Sequence, residues 1–310
     1  MTVEFCGLRL AHPVINGSGT FDAIAARRAF GEALEREFPF AAFVSKTITL
    51  APRAGNPAPR LWEAQAGLIN SIGLPNKGLH GYLEQDLPDL ARLPVPLITN
   101  VMGSTAEEIA ELLQACEPRT EIAAFELNVS CPNVHTGLDI GADPVQLERV
   151  VASVRPFTAK PLIVKLTPNC ASVSECASAA EAGGADALSL VNTLRAFALA
   201  PAARPSHAPA ARPSHAPTAR PSLGPSEVRP WLGGGTGGLS GAAIRPVALA
   251  QVASVAARVS IPVIGMGGIQ TALHARQFLD VGARLVAIGT ENFRDPRAAS
   301  SVTRELAAVG

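Results

Sequence analysis

Eight short runs of apolar and β-branched residues recur along the chain, and longer segments of helical period separate them. The runs are continuously apolar rather than alternating, which is typical of parallel strands covered on both faces. Eight strand–helix units in series predict an α/β protein with a single (β/α)8 barrel, or TIM barrel, preceded by an N-terminal β-hairpin. An open doubly wound sheet fits less well, because no Gly-x-Gly-x-x-Gly follows the first strand. The predicted strands are 13–17, 40–46, 96–102, 122–129, 161–167, 186–193, 261–267 and 284–290.

Capping residues mark four of the intervening helices. The segment 105–117 opens with a Thr cap and carries Glu in its first turn. The segment 142–157 has an Asp cap and Pro at the first helical position. The segments 172–184 and 271–282 both end on glycine, which favours helix termination.

Residues 201–230 do not follow this rhythm. Eight of the 26 prolines lie between Pro201 and Pro230, and 203–225 repeats Ala-Arg-Pro-Ser-His-Ala-Pro with a period of eight. Such a stretch cannot form regular hydrogen-bonded structure and has little to bury. We therefore expect one barrel domain over 1–310, with 201–230 as a flexible insertion after the sixth strand.

The overall composition excludes several classes of protein. The 26 basic and 26 acidic residues cancel, so no electrostatic footprint for nucleic acid or an anionic membrane is present. No apolar run approaches the ~20 residues of a membrane helix, and the N-terminus has no signal-peptide pattern. Five scattered cysteines without Cys-x-x-Cys spacing predict reduced thiols in a cytoplasmic protein and no metal site.

Polar residues stand at the ends of the predicted strands, where the chemistry of a barrel is located. Each of them alone could simply cap a turn. The chain has only four lysines, however, and two of them are in this set together with three asparagines. Neutral hydrogen-bonding groups with two cations suit a planar heterocycle that has imide and carboxylate edges. The residues are Ser18, Lys46, Thr47, Asn100, Asn128, Lys165, Asn192 and Thr193.

Glycine-rich motifs follow the last three strands. They are 237–241, 265–269 and 288–290. Glycine lets backbone N–H groups approach an anion, and barrels commonly bind phosphate at the loops after strands 7 and 8. Each motif alone could be a tight turn. The three together predict a phosphate-bearing ligand.

The motifs together resemble the class 1 dihydroorotate dehydrogenases, which are FMN enzymes of pyrimidine synthesis. The resemblance covers essentially the whole chain except the Pro-rich insertion. It implies oxidation of (S)-dihydroorotate to orotate, with hydride transfer to FMN. The segments that carry it include NGSGTF (16–21), SKTITLAPRAGNPAPR (45–60), LINSIGLPNKG (68–78), ELNVSCPNV (126–134), VKLTPN (164–169), VNTL (191–194) and GGLSGAAIRP (237–246).

The resemblance also assigns roles to residues of this chain. The flavin ring and ribityl chain would be held by Ser18, Lys46, Thr47, Asn100, Asn128, Lys165 and Val191. The phosphate would be held by Gly241, Gly267, Gly268, Gly289 and Thr290. The substrate would meet Lys46, Asn70, Ser71, Ile72, Gly73, Leu74, Asn128, Asn192 and Thr193.

Cys131 would be the catalytic base on the substrate face opposite the flavin. Removal of the C5 proton next to a carbonyl needs a positioned base, and a thiolate serves if its pKa falls below the free value of ~8.5. An inert buried thiol is the alternative, but Pro132 and the flanking asparagines favour a loop. The cysteine is typical of the soluble class, since class 2 relatives have serine there.

The resemblance finally implies partners. NSIGL and VNTL look closest to the NAD-linked catalytic subunits, which imply a homodimer or a heterotetramer with an FAD and iron–sulfur electron-transfer subunit. Fumarate remains open as acceptor, because that branch also uses a cysteine base. Two other functions stay open: a flavin dehydrogenase for another dihydropyrimidine, and a barrel that binds phosphate ligands without redox chemistry.

Overall fold

The computed structural model describes residues 2–129, 140–200 and 229–309. Its centre is an eight-stranded sheet in which every pairing is parallel. In spatial order the strands are β3 (Val14–Asn16), β14 (Leu285–Ile288), β13 (Val263–Met266), β10 (Ala187–Leu190), β9 (Leu162–Lys165), β8 (Ile122–Asn128), β7 (Leu97–Val101) and β4 (Phe43–Val44).

Asn16 joins the two outer strands of this order. Its side-chain Nδ2 donates to Val44 O at 2.8 Å, and its Oδ1 accepts from Val44 N at 2.8 Å. Ala41 N also donates to Val14 O at 2.9 Å. The sheet therefore curls back on itself, which confirms the predicted (β/α)8 barrel and all eight of its strands.

Helices surround the barrel, and side-chain caps start the four helices predicted from sequence. Thr105, Asp143, Ser172 and Thr271 each accept a backbone N–H of the first turn. Their helices are α5 (Ala106–Cys116), α6 (Pro144–Val154), α7 (Val173–Ala182) and α9 (Ala272–Asp280). The other helices are α1 (Ala23–Phe30), α2 (Glu32–Arg36), α3 (Gly78–Gly81), α4 (Leu87–Leu90), α8 (Arg245–Ala256), α10 (Glu291–Arg294) and α11 (Ala298–Val309).

An N-terminal hairpin closes the amino end of the barrel, as predicted. Strands β1 (Val3–Phe5) and β2 (Leu8–Leu10) pair antiparallel, and Phe5 and Leu10 are buried with the apolar residues that line the barrel interior. A plug of apolar side chains at this end leaves the carboxyl ends of the strands for polar groups.

A four-stranded antiparallel sheet that the sequence analysis did not predict lies beyond the carboxyl ends. Its order is β11 (Leu194–Phe197), β12 (Thr236–Ser240), β6 (Gly67–Asn70) and β5 (Leu61–Ala64). Most of the 237–241 glycine motif is therefore a strand rather than a loop. Two segments far apart in sequence pair here, and β12 contains two glycines, so neither shows a clear strand pattern alone.

The described residues on either side of the Pro-rich segment lie next to each other in space. Ala200 N donates to Arg229 O at 2.9 Å, and Leu199 forms a bridge with Pro230. Residues 201–228 themselves lie outside the described part of the chain, so the flexible insertion stays a prediction.

Candidate active site

The parallel sheet brings the predicted strand-end residues to one end of the barrel. Asn128 and Lys165 are register partners at the ends of β8 and β9, and Asn100 lies opposite Glu126. Asn100, Asn128 and Lys165 are all buried. A buried cation among amides requires partners, and these come from the neighbouring strands.

Glu126 organises this buried polar cluster, and the sequence analysis missed it. Its carboxylate accepts from Asn100 Nδ2 at 2.5 Å and from Ser189 Oγ at 2.8 Å, and Lys165 Nζ lies 3.8 Å away. Glu126 is only 1% exposed. It is the one charged residue in the apolar run 122–129, which is the signal that could have identified it.

The side-chain amide of Asn100 uses its Nδ2 in a hydrogen bond, whereas its Oδ1 has no partner among the described residues. Its Nδ2 points to Glu126, so the side-chain orientation is fixed. Its Oδ1 is buried and has no hydrogen-bond partner among the described residues. An unsatisfied buried acceptor costs ~1–3 kcal/mol. This acceptor therefore suits a ligand N–H.

The loop after β4 supplies the next part of the site. Ser18 Oγ donates to Ser45 O at 2.8 Å, and Asn128 Nδ2 donates to Thr47 Oγ1 at 3.5 Å. The Lys46 side chain is solvent-accessible at the mouth of the barrel. Partial desolvation lowers the pKa of its ammonium, Asp22 opposes this, and Arg60 adds to it. Lys46 and Lys165 thus give the mouth two positive groups of different accessibility.

The predicted substrate residues fall into two groups. Asn70 Nδ2 donates to Gly238 O at 3.2 Å, and a Cβ on Gly238 would lie 2.0 Å from Thr193 Oγ1, so β6, β12 and the loop after β10 meet closely. Ser71 is different, because it is fully buried and accepts from Asn56 Nδ2 at 2.9 Å. Its hydroxyl supports the loop that continues through Ile72, Gly73 and Leu74.

Asn169 was not predicted as a site residue, yet it fixes the loop after β10. Its Nδ2 donates to Thr193 O at 2.9 Å, and its Oδ1 accepts from Arg195 N at 2.8 Å. Asn192 Oδ1 in turn accepts from Thr193 N at 3.0 Å. The position of Thr193 therefore depends on Asn169 as well as on its own strand.

The predicted phosphate residues converge at the ends of β12, β13 and β14. Thr290 Oγ1 donates to Ser240 Oγ at 2.8 Å, next to Gly241. A Cβ on Gly268 would lie 2.7 Å from Gly241 O, and one on Gly241 would lie 2.8 Å from Gly67 Cα. Both glycines have positive φ, +70° and +93°. Only glycine fits here, and the result is a cradle of main chain.

Val191, Gly267 and Gly289 border the same cradle. Val191 N donates to Met266 O at 3.0 Å, and a Cβ on Gly267 would lie 3.5 Å from Val191 Cγ2. A Cβ on Gly17 would lie 3.7 Å from Gly289 Cα, and one on Gly289 would lie 3.7 Å from Thr20 Cγ2, so the cradle lies next to the loop after β3. The structure thus places Val191 and the predicted phosphate residues next to one another at the carboxyl ends of β10, β13 and β14.

Cys131 lies outside the described residues, but the residues that flank its segment on both sides are described. Val129 follows β8 directly, and Gly141 N donates to Val129 O at 3.1 Å. The segment 130–139 therefore leaves and rejoins the described structure at the carboxyl end of β8.

The four described cysteines differ in their surroundings. Cys6 is in the hairpin at the opposite end of the barrel, where burial raises its pKa to about 11, and burial raises that of Cys116 to about 12. Cys170 follows Thr167 after β9 and donates its thiol to Thr167 O at 3.5 Å, and its interaction with Cys176 on α7 lowers its pKa. Cys170 is therefore a second thiol at the carboxyl end of the barrel.

These observations define the class of protein. A closed barrel with two lysines, an open buried acceptor and a glycine cradle at its carboxyl end is an enzyme that holds a flat, phosphate-bearing group. Among the described residues, no helix is long and apolar enough to cross a membrane.

Comparison with known proteins identifies the family. The dihydroorotate dehydrogenase family model matches residues 1–208 and 218–309, which leaves out nine residues of the Pro-rich segment. The "Dihydroorotate dehydrogenase B (NAD(+)), catalytic subunit" of Geotalea uraniireducens is 42% identical over 99% of this chain and 92% of its own length. The protein of the same name from Desulforudis audaxviator is 42% identical over 98% and 90%. The chain belongs to the dihydroorotate dehydrogenase family.

Family membership confirms the predicted class of FMN-dependent oxidoreductase, the predicted dihydroorotate oxidation of pyrimidine synthesis and FMN as the cofactor. The residues also fit FMN: the open Asn100 Oδ1 suits a ring N–H, and a main-chain cradle in which a Cβ would collide suits a terminal phosphate.

Proposed function

We propose that this chain oxidises (S)-dihydroorotate to orotate at the carboxyl end of its barrel and passes the electrons to NAD through a separate subunit. One observation carries the site assignment: Glu126 pairs with Lys165 and Asn100 at the carboxyl ends of the central strands. When bound, FMN supplies the acceptor for the substrate hydride.

The side chains at the ring end hold and polarise the bound groups. Lys165 is a buried ammonium whose position is fixed by the Glu126 carboxylate, and it stabilises negative charge that develops nearby. Asn100 accepts a ring N–H through its open Oδ1. This part of the proposed cofactor site is completed by Ser18, Lys46, Thr47, Asn128 and Val191. The phosphate is held by Gly241, Gly267, Gly268, Gly289 and Thr290.

The substrate lies between this ring end and the antiparallel sheet. Lys46, as the accessible cation, pairs with the substrate carboxylate, because a solvent-facing ammonium can meet an entering anion. Hydrogen-bond donors and acceptors come from β6, from β8 and from the loop after β10, through Asn70, Asn128, Asn192 and Thr193. Ser71, Ile72, Gly73 and Leu74 form the bordering loop.

Cys131 removes the C5 proton in this proposal. Support comes from the described ends of its segment, which both lie beside Asn128 at the mouth. Cys170 is the second candidate thiol, since its interaction with Cys176 lowers its pKa. Parallel substitution of the two cysteines distinguishes them.

The partner proposal depends on the names of the relatives. They are called catalytic subunits of dihydroorotate dehydrogenase B (NAD(+)), and a catalytic subunit implies at least one other. We infer a homodimer of this chain joined by an FAD and iron–sulfur electron-transfer subunit into a heterotetramer.

Anaerobic mixing tests the function directly. Dihydroorotate should bleach the flavin absorbance of the FMN-loaded chain within the first turnover. The reduced chain is then offered NAD, fumarate or a quinone, each with and without the electron-transfer subunit. We expect reoxidation by NAD only with that subunit present. A flavin that stays oxidised would contradict the substrate, and rapid reoxidation by fumarate with the chain alone would contradict the NAD branch.

A further inference from the structure

A series of hydrogen bonds connects the three loops of the glycine cradle. Arg245 NH1 donates to Gly268 O at 3.3 Å and lies 3.2 Å from His274 Nδ1. Gln270 N donates to the same Nδ1 at 3.4 Å, and Gln270 Nε2 donates to Glu291 Oε2 at 2.9 Å. We call Arg245, Gln270, His274 and Glu291 the phosphate clasp.

The contacts fix the protonation state of His274. A guanidinium and a backbone N–H can only donate, so Nδ1 must accept from both. A ring nitrogen that accepts carries no proton, which makes the imidazole neutral with its proton on Nε2. The clasp in this form therefore requires a neutral His274.

Arg245 lies directly against the cradle. A Cβ on Gly268 would be 2.9 Å from Arg245 Cβ and 2.7 Å from Gly241 O. The two partners of its guanidinium, a carbonyl and an imidazole, are both uncharged. Within the part of the chain that the structure describes, the positive charge of Arg245 is therefore not neutralised by a hydrogen-bonded carboxylate.

We propose that Arg245 is a positioning residue for the cofactor phosphate, and that neutral His274 holds it in place. The proposal rests on the FMN site proposed above. Arg245 fixes the Gly267–Gly268 turn by its bond to Gly268 O and places a cation beside the cradle, where an anion is stabilised. Protonation of His274 removes the acceptor and places a second positive charge next to Arg245, so it opens the clasp.

The surroundings of His274 set the direction of its pH dependence. Burial first, and then the Arg245 charge, lower the pKa of His274 below its usual value. The clasp is therefore closed at neutral pH and opens as the pH falls through that lowered pKa. From α10, Glu291 reaches the ring only through Gln270. On α9 and α10, Arg276 bonds Asp280 and Arg294 bonds Glu291. On α11, Arg304 bonds Ser301, and Glu305 is the other charged residue of that helix.

Flavin titrations test the role of Arg245. The apoprotein is titrated with FMN and with riboflavin, which lacks the phosphate, and quenching of flavin fluorescence gives each Kd. We expect Arg245→Gln to weaken FMN binding about tenfold or more, as for lost bonds to a charged group, and riboflavin binding less than about twofold. Arg245→Lys should recover part of the FMN affinity. Equal weakening of both ligands by Arg245→Gln would show a merely structural role and overturn the proposal.

A pH comparison tests the role of His274. FMN binding is measured at about pH 8 and about pH 5, which bracket imidazole titration. His274→Asn keeps an acceptor that does not titrate, so it should reduce the loss of affinity at low pH to the part caused by the phosphate itself, whose second pKa is ~6. An unchanged pH profile in this variant would overturn the His274 step. If the unaltered chain binds neither flavin, the proposed cofactor site is wrong and the clasp with it. Equal affinity of the unaltered chain for both flavins would refute the glycine phosphate site together with the clasp. If the unaltered chain prefers FMN and Arg245→Gln keeps that preference, only the clasp is refuted.

Discussion

The two ends of the site are built from different parts of the chain. At the phosphate end, main-chain groups of Gly241 and Gly268 form the surface, and a side chain at either position would collide with backbone. At the ring end, the surface consists of side chains. Asn100 and Lys165 both interact there with the Glu126 carboxylate. The phosphate end depends on the absence of side chains, and the ring end depends on their pairing.

The difference follows from the group that each end is proposed to bind. A phosphate is a compact anion that several backbone N–H groups can surround, so close approach matters most. A flat ring with distinct donor and acceptor edges needs groups with fixed directions, which rigid strands and buried partners provide. Substitutions at the two ends should therefore give different kinds of defect.

The largest expected effect is on the rate and not on cofactor binding. Cys131→Ala should slow flavin reduction by dihydroorotate about 10²- to 10⁴-fold, the usual contribution of a general base, while the FMN Kd stays unchanged. Stopped-flow absorbance measures the rate. Cys131→Ser should keep some activity, shifted to higher pH.

Cys170→Ala is the matched control for that variant. Its thiol also lies near the mouth, with a lowered pKa. We expect near-normal flavin reduction in Cys170→Ala. If this variant were slow and Cys131→Ala fast, Cys170 would be the base and the assignment of Cys131 would be wrong.

The next effect should appear as stability at the ring end. Glu126→Ala leaves the Lys165 ammonium buried without its carboxylate, which costs about 3–5 kcal/mol in the free energy of unfolding. Urea denaturation measures this. Glu35→Ala is the control, because the Arg27–Glu35 pair is partly exposed and should contribute ~1 kcal/mol or less. Similar losses in both variants would contradict the central role of Glu126.

At the phosphate end the expected effect is on FMN affinity. Gly268→Ala places a Cβ 2.7 Å from Gly241 O at a φ of +70°, so the turn must move. The left-handed backbone alone costs ~1–2 kcal/mol, and we expect at least a tenfold weaker FMN Kd by fluorescence. Gly7→Ala is the control: its φ is +78°, nothing lies within 4 Å, and it is in the hairpin at the other end of the barrel. Equal FMN loss in both would mean that backbone strain, and not the cradle, explains the effect.

The smallest effect is expected outside both ends. Deletion of 203–225 leaves five residues between Ala200 and Arg229, which are already hydrogen-bonded to each other at 2.9 Å. Five residues suffice for a hairpin loop, so stability should change by only ~0.5 kcal/mol. A large fall in Tm would show that the segment packs against the barrel.

The sequence predicted those features of the fold that depend on residues close together along the chain. The eight apolar runs predicted the eight strands, and cap residues such as Thr105 and Asp143 predicted where helices start. Placement of the site followed from the same runs, because the carboxyl ends of parallel strands in a barrel must meet. The positions of the residues proposed to bind cofactor and substrate were therefore predictable, and their proposed roles come from the family resemblance.

Signals that depend on distant partners were missed. Glu126 is a charged residue in an apolar run, and the sequence does not show why it can be buried there. The structure does, because Asn100, Ser189 and Lys165 surround its carboxylate. The antiparallel sheet pairs Asn70 with Gly238, which are too far apart in sequence for any local pattern to reveal. Ser71 was predicted as a substrate contact, and only the fold shows that its hydroxyl is bound to Asn56.

By itself, the sequence determined the barrel, its direction and the end at which chemistry takes place, because hydrophobic periodicity and helix caps act within a few residues of each other. Tertiary structure alone decided which polar groups are paired and which stay open. Whether Asn100 offers an acceptor, or Arg245 a charge, depends on neighbours brought from other strands and loops, and hydrogen bonds form only within about 3.5 Å.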